Sequence, residues 1–139
     1  MSSGVPVRGL VVCHGRLADA LVAAVREIVG EDGGLVPLSN EGCSTEELER
    51  RIEALLDDVP GPVIVFSDLP SGSCTFAARH LKRTGRALGL VGGVNLPLLL
   101  DFVFHRNLPL PDLLRRLREK TGIVIELVSP NADRPLPSG

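Results

Sequence analysis

The chain reads as an α/β domain: a doubly wound, mainly parallel sheet in the order 2-1-3-4, with helices on both faces. Three observations point there. Short runs of Val, Leu and Ile alternate along the chain with longer stretches at helical spacing, and parallel neighbours need such helical crossovers. Hydrophobic residues make up 44% of the chain but aromatics only 3%, with no Trp or Tyr, so the core must be aliphatic, as suits strands covered on both faces. The length, 139 residues, is that of one ordinary domain able to bury its own core.

The first strand is the apolar run Leu10-Val11-Val12-Cys13, ending at His14-Gly15. Leu17, Ala20, Leu21, Ala24, Val25, Ile28 and Val29 then recur at helical spacing and predict one inward stripe. Gly33-Gly34 is expected to stop that segment, and Leu35 to Leu38 to form a short second strand. Ser44-Thr45-Glu46-Glu47 supplies a capping box for a helix burying Leu48, Ile52, Leu55 and Leu56, and Pro60-Gly61-Pro62 ends the connection.

Val63 to Phe66 is the third strand, followed by Ser67 and Asp68 and by the small-residue turn Ser71-Gly72-Ser73 into a helix from about Cys74 to Arg83. Ala87 to Val91 is the fourth strand, leaving through Gly92-Gly93-Val94-Asn95. A helix starts near Leu96-Pro97, where proline is tolerated in the first turn, and runs to about His105. Pro109 and Pro111 open a last helix with Leu113, Leu114 and Leu117 inward, and Ile123 to Val128 forms a final strand. Residues 1–128 are taken as a single domain and 129–139 as a flexible tail.

In the order 2-1-3-4 the first and third strands are neighbours, the winding reverses between them, and ligands bind beyond the carboxyl ends of the strands at such a point. His14 and Asp68 would then meet there. The order 3-2-1-4 would separate them, and the pattern by itself leaves both orders open. Taken singly, the site residues have structural readings as well: Asp68 as an Asx turn, Ser73 as an N-cap, and Asn95 as a helix cap or an organiser of the loop beside the site. His80 and His105 lie in helices without a partner suggested by spacing and are read as structural or surface residues.

Other classes are disfavoured. A formal charge of −2 without a basic stretch, and the lack of aromatic stacking residues, argue against nucleic acid. Cys13, Cys43 and Cys74 contain no C-x-x-C pair and the three histidines no zinc-ligand cluster, so neither a metal nor a cofactor is expected. The start of the chain has no apolar core of signal-peptide length and no run approaches the ~20 residues of a membrane span, which reads as cytoplasmic.

Val12-Cys13-His14-Gly15, Asp68-Leu69-Pro70-Ser71-Gly72-Ser73 and Gly93-Val94-Asn95-Leu96-Pro97-Leu98-Leu99 together resemble the enzyme IIA component of the mannose-type sugar phosphotransferase system, over roughly residues 7–128. The Gly-Val-Asn-Leu-Pro segment is the most specific of the three. The resemblance implies a homodimer whose His14, partnered by Asp68, accepts a phosphoryl group from the histidine phosphocarrier protein and passes it to a IIB component, serving a membrane sugar permease indirectly. The chemistry fits: a neutral imidazole is a nucleophile near neutral pH, and a carboxylate on Nδ1–H fixes the tautomer and leaves Nε2 reactive. Backbone amides around Gly72, Ser73 and Cys74, at a helix N-terminus, would hold the phosphoryl oxygens, with the Ser73 hydroxyl adding to them. Gly15 and Asn95 would shape the site loops.

The chain departs from the family pattern in two places. Ser71-Gly72-Ser73 is followed by Cys74 where Gly-Gly-Ser or Gly-Gly-Thr followed by Pro is usual, and Cys13 stands where Thr or Ser is common. Cys74 is open to two readings, a buried filler or a thiol with a lowered pKa at a helix N-terminus. A regulator with the same histidine chemistry and a non-transport partner is the alternative function, and a non-catalytic binding module is disfavoured by the intact His14 and Asp68. The apolar strand Ile123 to Val128 is expected to be covered by a partner subunit or exchanged between two copies, since an exposed edge of that kind invites pairing.

Overall fold

Consecutive apolar residues in the first strand-like run leave it no polar face, so it has to be covered on both sides. The computed structural model, which describes residues 4–69, 80 and 83–120, places it in the middle of the sheet. Strand β1 (Arg8–Cys13) lies between β2 (Leu35–Ser39) and β3 (Val63–Ser67), and β4 (Leu88–Gly92) follows β3. All pairings are parallel and the order is β2-β1-β3-β4, the doubly wound order predicted, which excludes 3-2-1-4.

Alternation along the central strands sorts their side chains into two cores. Val7, Val11 and Cys13 with Ile64 and Phe66 point to one face, packed by α1 (Leu17–Val29), α3 (Leu96–Phe104) and α4 (Leu110–Glu119). Leu10 and Val12 with Val63 and Val65 point to the other, covered by Ile52 and Leu56 of α2 (Thr45–Asp57). Gly9 breaks the first series because Leu35 and two aromatic rings need its space: a Cβ there would come 2.7 Å from Leu35, 3.0 Å from Phe66 and 3.1 Å from Phe102. Those rings pack edge to face, 5.1 Å between centroids.

Helix α1 departs from the predicted stripe. Its buried residues are Ala18, Val22 and Val25, whereas Leu17 is 43% and Ile28 59% exposed. Apolar residues nearly encircle this helix, so hydrophobicity leaves its rotation undetermined, and docking against the sheet and α3 selects the face. The helix ends at Val29, the last residue of the predicted stripe, and Gly30 rather than Gly33-Gly34 caps it, its N–H donating to the carbonyl of Arg26 at 2.8 Å. Pro37 sits inside β2 without cost to the sheet interior because β2 is an edge strand.

Helix α2 begins as predicted, with Ser44 accepting from the Glu47 N–H at 3.2 Å. Its other end carries no basic residue in the last turn. Arg86, on the approach to β4, takes over that task, its guanidinium donating to the carbonyls of Leu56, Val59 and Gly61. On the opposite face Arg116 of α4 forks onto Asp101 of α3 at 2.9 to 3.2 Å, and His105 Nδ1 lies 2.8 Å from the Asp101 carbonyl. His80, Arg83 and Thr84 are helical. The rest of the expected helix from Cys74, the strand Ile123 to Val128, the boundary at 128 and the tail 129–139 lie outside the described residues.

Phe102→Ala should lower the unfolding free energy by about 3–5 kcal/mol, since it removes a fully buried ring and its edge contact. Denaturant midpoints at unchanged m-value check this.

Candidate active site

Two strand ends meet at the carboxyl edge of the sheet. Val12 pairs with Ser67, so the residues leaving β1 and β3 emerge side by side, and both strands stop within two residues of that pair. A single carboxylate oxygen then joins them. Asp68 Oδ2 accepts the backbone N–H of His14 at 2.9 Å and lies 2.8 Å from His14 Nδ1. The imidazole side chain is 63% exposed and the carboxylate only 15%.

Burial raises the Asp68 carboxyl, but the hydrogen bonds and charge of His14 outweigh it and hold the group below the ordinary carboxylate range. Asp68 is therefore ionised at neutral pH, and an ionised carboxylate can only accept. It follows that Nδ1 carries the hydrogen in the neutral ring, and Nε2 keeps its lone pair on an open side chain. Such a ring can act as a nucleophile, with a carboxylate already on its other nitrogen.

The neighbours set this geometry. Gly15 has φ +56°, in the left-handed region, and lets the chain turn at once from β1 into α1, where the Leu17 N–H donates to the His14 carbonyl at 3.2 Å. Cys13, beneath the histidine, is 1% exposed, and burial followed by the Asp68 charge pushes its thiol up to about 11, so it stays protonated and inert. Asn95 caps α3, its side chain accepting from the Leu98 N–H at 2.9 Å. The capping role is thus the one the geometry displays, and the loop it ends is tied to the site by the Val94 N–H on the Ser67 carbonyl, 2.9 Å.

His14, Gly15 and Asp68 come together as the order 2-1-3-4 requires. Gly72, Ser73 and Cys74 lie outside the described residues. Among the described residues no group of three or more His, Cys, Asp or Glu side chains could hold a metal ion, and no helix is long and apolar enough to cross a membrane. One contact escaped sequence reasoning: Ser67 Oγ donates to the Leu69 carbonyl at 2.7 Å. The available signal was a serine at a strand end, a residue type that bonds its own nearby backbone.

A family model described as the PTS system fructose IIA component, EIIA-man, matches residues 9–112, a stretch that includes both strand ends and the Asn95 cap. The chain belongs to this family. Membership places it in the phosphotransferase system, in a phosphoryl-transfer role. No curated protein matches the chain. Among solved structures, the mannose/sorbose specific IIA subunit from Enterococcus faecalis is similar with a TM-score of 0.72 and 22% identity, over 90% of this chain and 98% of its own. The EIIA component from Streptococcus agalactiae matches with a TM-score of 0.72 at 19% identity, over 81% of this chain and 90% of its own. A sigma-54 interaction domain protein from Enterococcus faecalis gives 0.67 at 14% identity, over 84% and 91%. At these identities the likenesses establish the fold.

The pH dependence of stability should have two acid steps. Burial, with the Arg83 cation, pushes the His80 imidazole below its ordinary value, so the unfolded chain takes up a proton first and stability falls as pH drops below about 6.5. Asp68 is depressed, so its contribution is full above about pH 4 and is lost as pH falls through its lower folded-state value. Asp68→Asn should remove only the lower step, as urea unfolding between about pH 7 and about pH 3 would show.

Proposed function

We propose that this chain is a phosphohistidine carrier of a sugar phosphotransferase system. His14 Nε2 takes a phosphoryl group from the histidine phosphocarrier protein and hands it to a IIB component. The observation that carries this reading is Asp68 Oδ2 at 2.8 Å from Nδ1 of an exposed imidazole, in a chain of the IIA family. The Nε2 lone pair forms the new N–P bond while the N–P bond to the donor's histidine breaks. Nδ1 keeps its hydrogen, so the phosphorylated ring is cationic and the Asp68 carboxylate stabilises it. Transfer onward reverses these steps. The amides around Gly72, Ser73 and Cys74, with the Ser73 hydroxyl, are assigned to the phosphoryl oxygens on sequence grounds.

Such a carrier works in the cytoplasm and serves the membrane sugar permease through the IIB component. We also propose a homodimer. The support is the outer edge of β4, which has no partner strand among the described residues, and the apolar segment Ile123 to Val128, fit to cover such an edge in its own or a second copy.

Incubation with enzyme I, the phosphocarrier protein and phosphoenolpyruvate should add one acid-labile phosphate, read by intact mass at neutral pH. His14→Ala should abolish it, and Asp68→Asn should slow it by ~10-fold or more. Unchanged labelling of His14→Ala would falsify the assignment. If the phosphorylated chain forms but no IIB component discharges it, the regulatory reading takes its place. Light scattering at micromolar concentration should give about twice the 14.8 kDa chain mass, and a monomer at high concentration would remove the dimer alone.

A further inference from the structure

Asp68 stands one residue past the end of β3. The ladder to β1 closes at Val12 and Ser67, so strand pairing fixes Ser67 but not the carboxylate that follows it. Leu69, the next residue, is 53% exposed and brings no burial to hold the turn. Yet Asp68 must keep one oxygen within hydrogen-bond reach of two separate N–H groups of His14, a demand that a loosely held side chain does not meet.

Ser67 restrains the turn from both ends of its own residue. Its hydroxyl, with a single hydrogen to give, donates to the Leu69 carbonyl at 2.7 Å and closes the chain around Asp68. Its carbonyl receives the Val94 N–H at 2.9 Å and anchors the same corner to the loop leaving β4. We propose that Ser67 is a positioning residue of the phosphotransfer site, its hydroxyl locking the 67–69 turn so that Asp68 Oδ2 stays on both N–H groups of His14. This rests on the reading of His14 and Asp68 as the phosphotransfer pair.

The consequence is chemical as well as geometric. When the turn opens, the carboxylate leaves Nδ1 and the neutral ring is free to move its hydrogen to Nε2. That tautomer has no lone pair on Nε2 for phosphorus. Removing the hydroxyl leaves the Leu69 carbonyl in an exposed turn where water replaces the lost donor, so the effect falls on the site and not on global stability.

The test compares Ser67→Ala with Ser67→Thr in the full chain, the threonine keeping the hydroxyl. Nitrogen NMR of the His14 ring reports the tautomer without any phosphate present, and the initial rate of labelling by the phosphorylated phosphocarrier protein reports transfer. Ser67→Ala should shift the His14 nitrogens away from the Nδ1–H signature and slow labelling about 3- to 10-fold, with a thermal midpoint within about 3 °C of the parent. Ser67→Thr should restore both. An unchanged tautomer signature in Ser67→Ala, or equal changes in both variants, would overturn the proposal. A parent protein that takes no phosphate, but whose tautomer shifts in Ser67→Ala only, would sink the phosphotransfer reading while upholding Ser67 as the anchor of the pair.

Discussion

The parallel pairing of β1 with β3 is the constraint on which the rest of the molecule depends. It is a tertiary contact between segments more than fifty residues apart, with Arg8 opposite Val63 at one end and Val12 opposite Ser67 at the other. Because β1 and β3 are both interior strands, each must be apolar on two faces, and their alternating side chains seed both cores. The same register decides where the strands stop. A slip of one residue would exchange the faces of every side chain in β3 and carry Asp68 away from His14.

Among the described residues the site comes down to one contact. One carboxylate oxygen, mostly buried, meets one largely exposed imidazole, and this asymmetry gives the pair its character. The carboxylate stays charged because the two N–H donors of His14 offset its desolvation, and among the described residues the ring is engaged at its Nδ1 edge and its side chain is largely exposed. Cys13, next to His14, is buried, and burial first and the Asp68 charge second drive its thiol toward the neutral form.

The fold is held by arginines as well as by aliphatic packing. Arg86 closes the carbonyl end of α2, whose last turn has no basic residue of its own, and Arg116 fastens α4 to α3 through Asp101. Among the described residues one aromatic pair, Phe66 and Phe102, joins the sheet to α3 edge to face.

The sequence by itself determined the alternation of strands and helices, the cap at Ser44, the end of the first strand at Cys13 and of the third within one residue of Ser67, and the candidacy of His14 and Asp68. Those are local matters: hydrophobic period, turn chemistry and residue type act within a few positions. Only the tertiary structure decided the strand order that makes His14 and Asp68 neighbours, the rotation of α1 that leaves Leu17 and Ile28 exposed, the capping of α2 by Arg86, and the lock of Ser67 on the Asp68 turn. The physical reason is shared. A helix apolar nearly all round carries no mark of its inward face, and an arginine or a serine can donate to many carbonyls. Which one it meets is set by the packing of elements distant in sequence, and that information is held by the assembled fold alone.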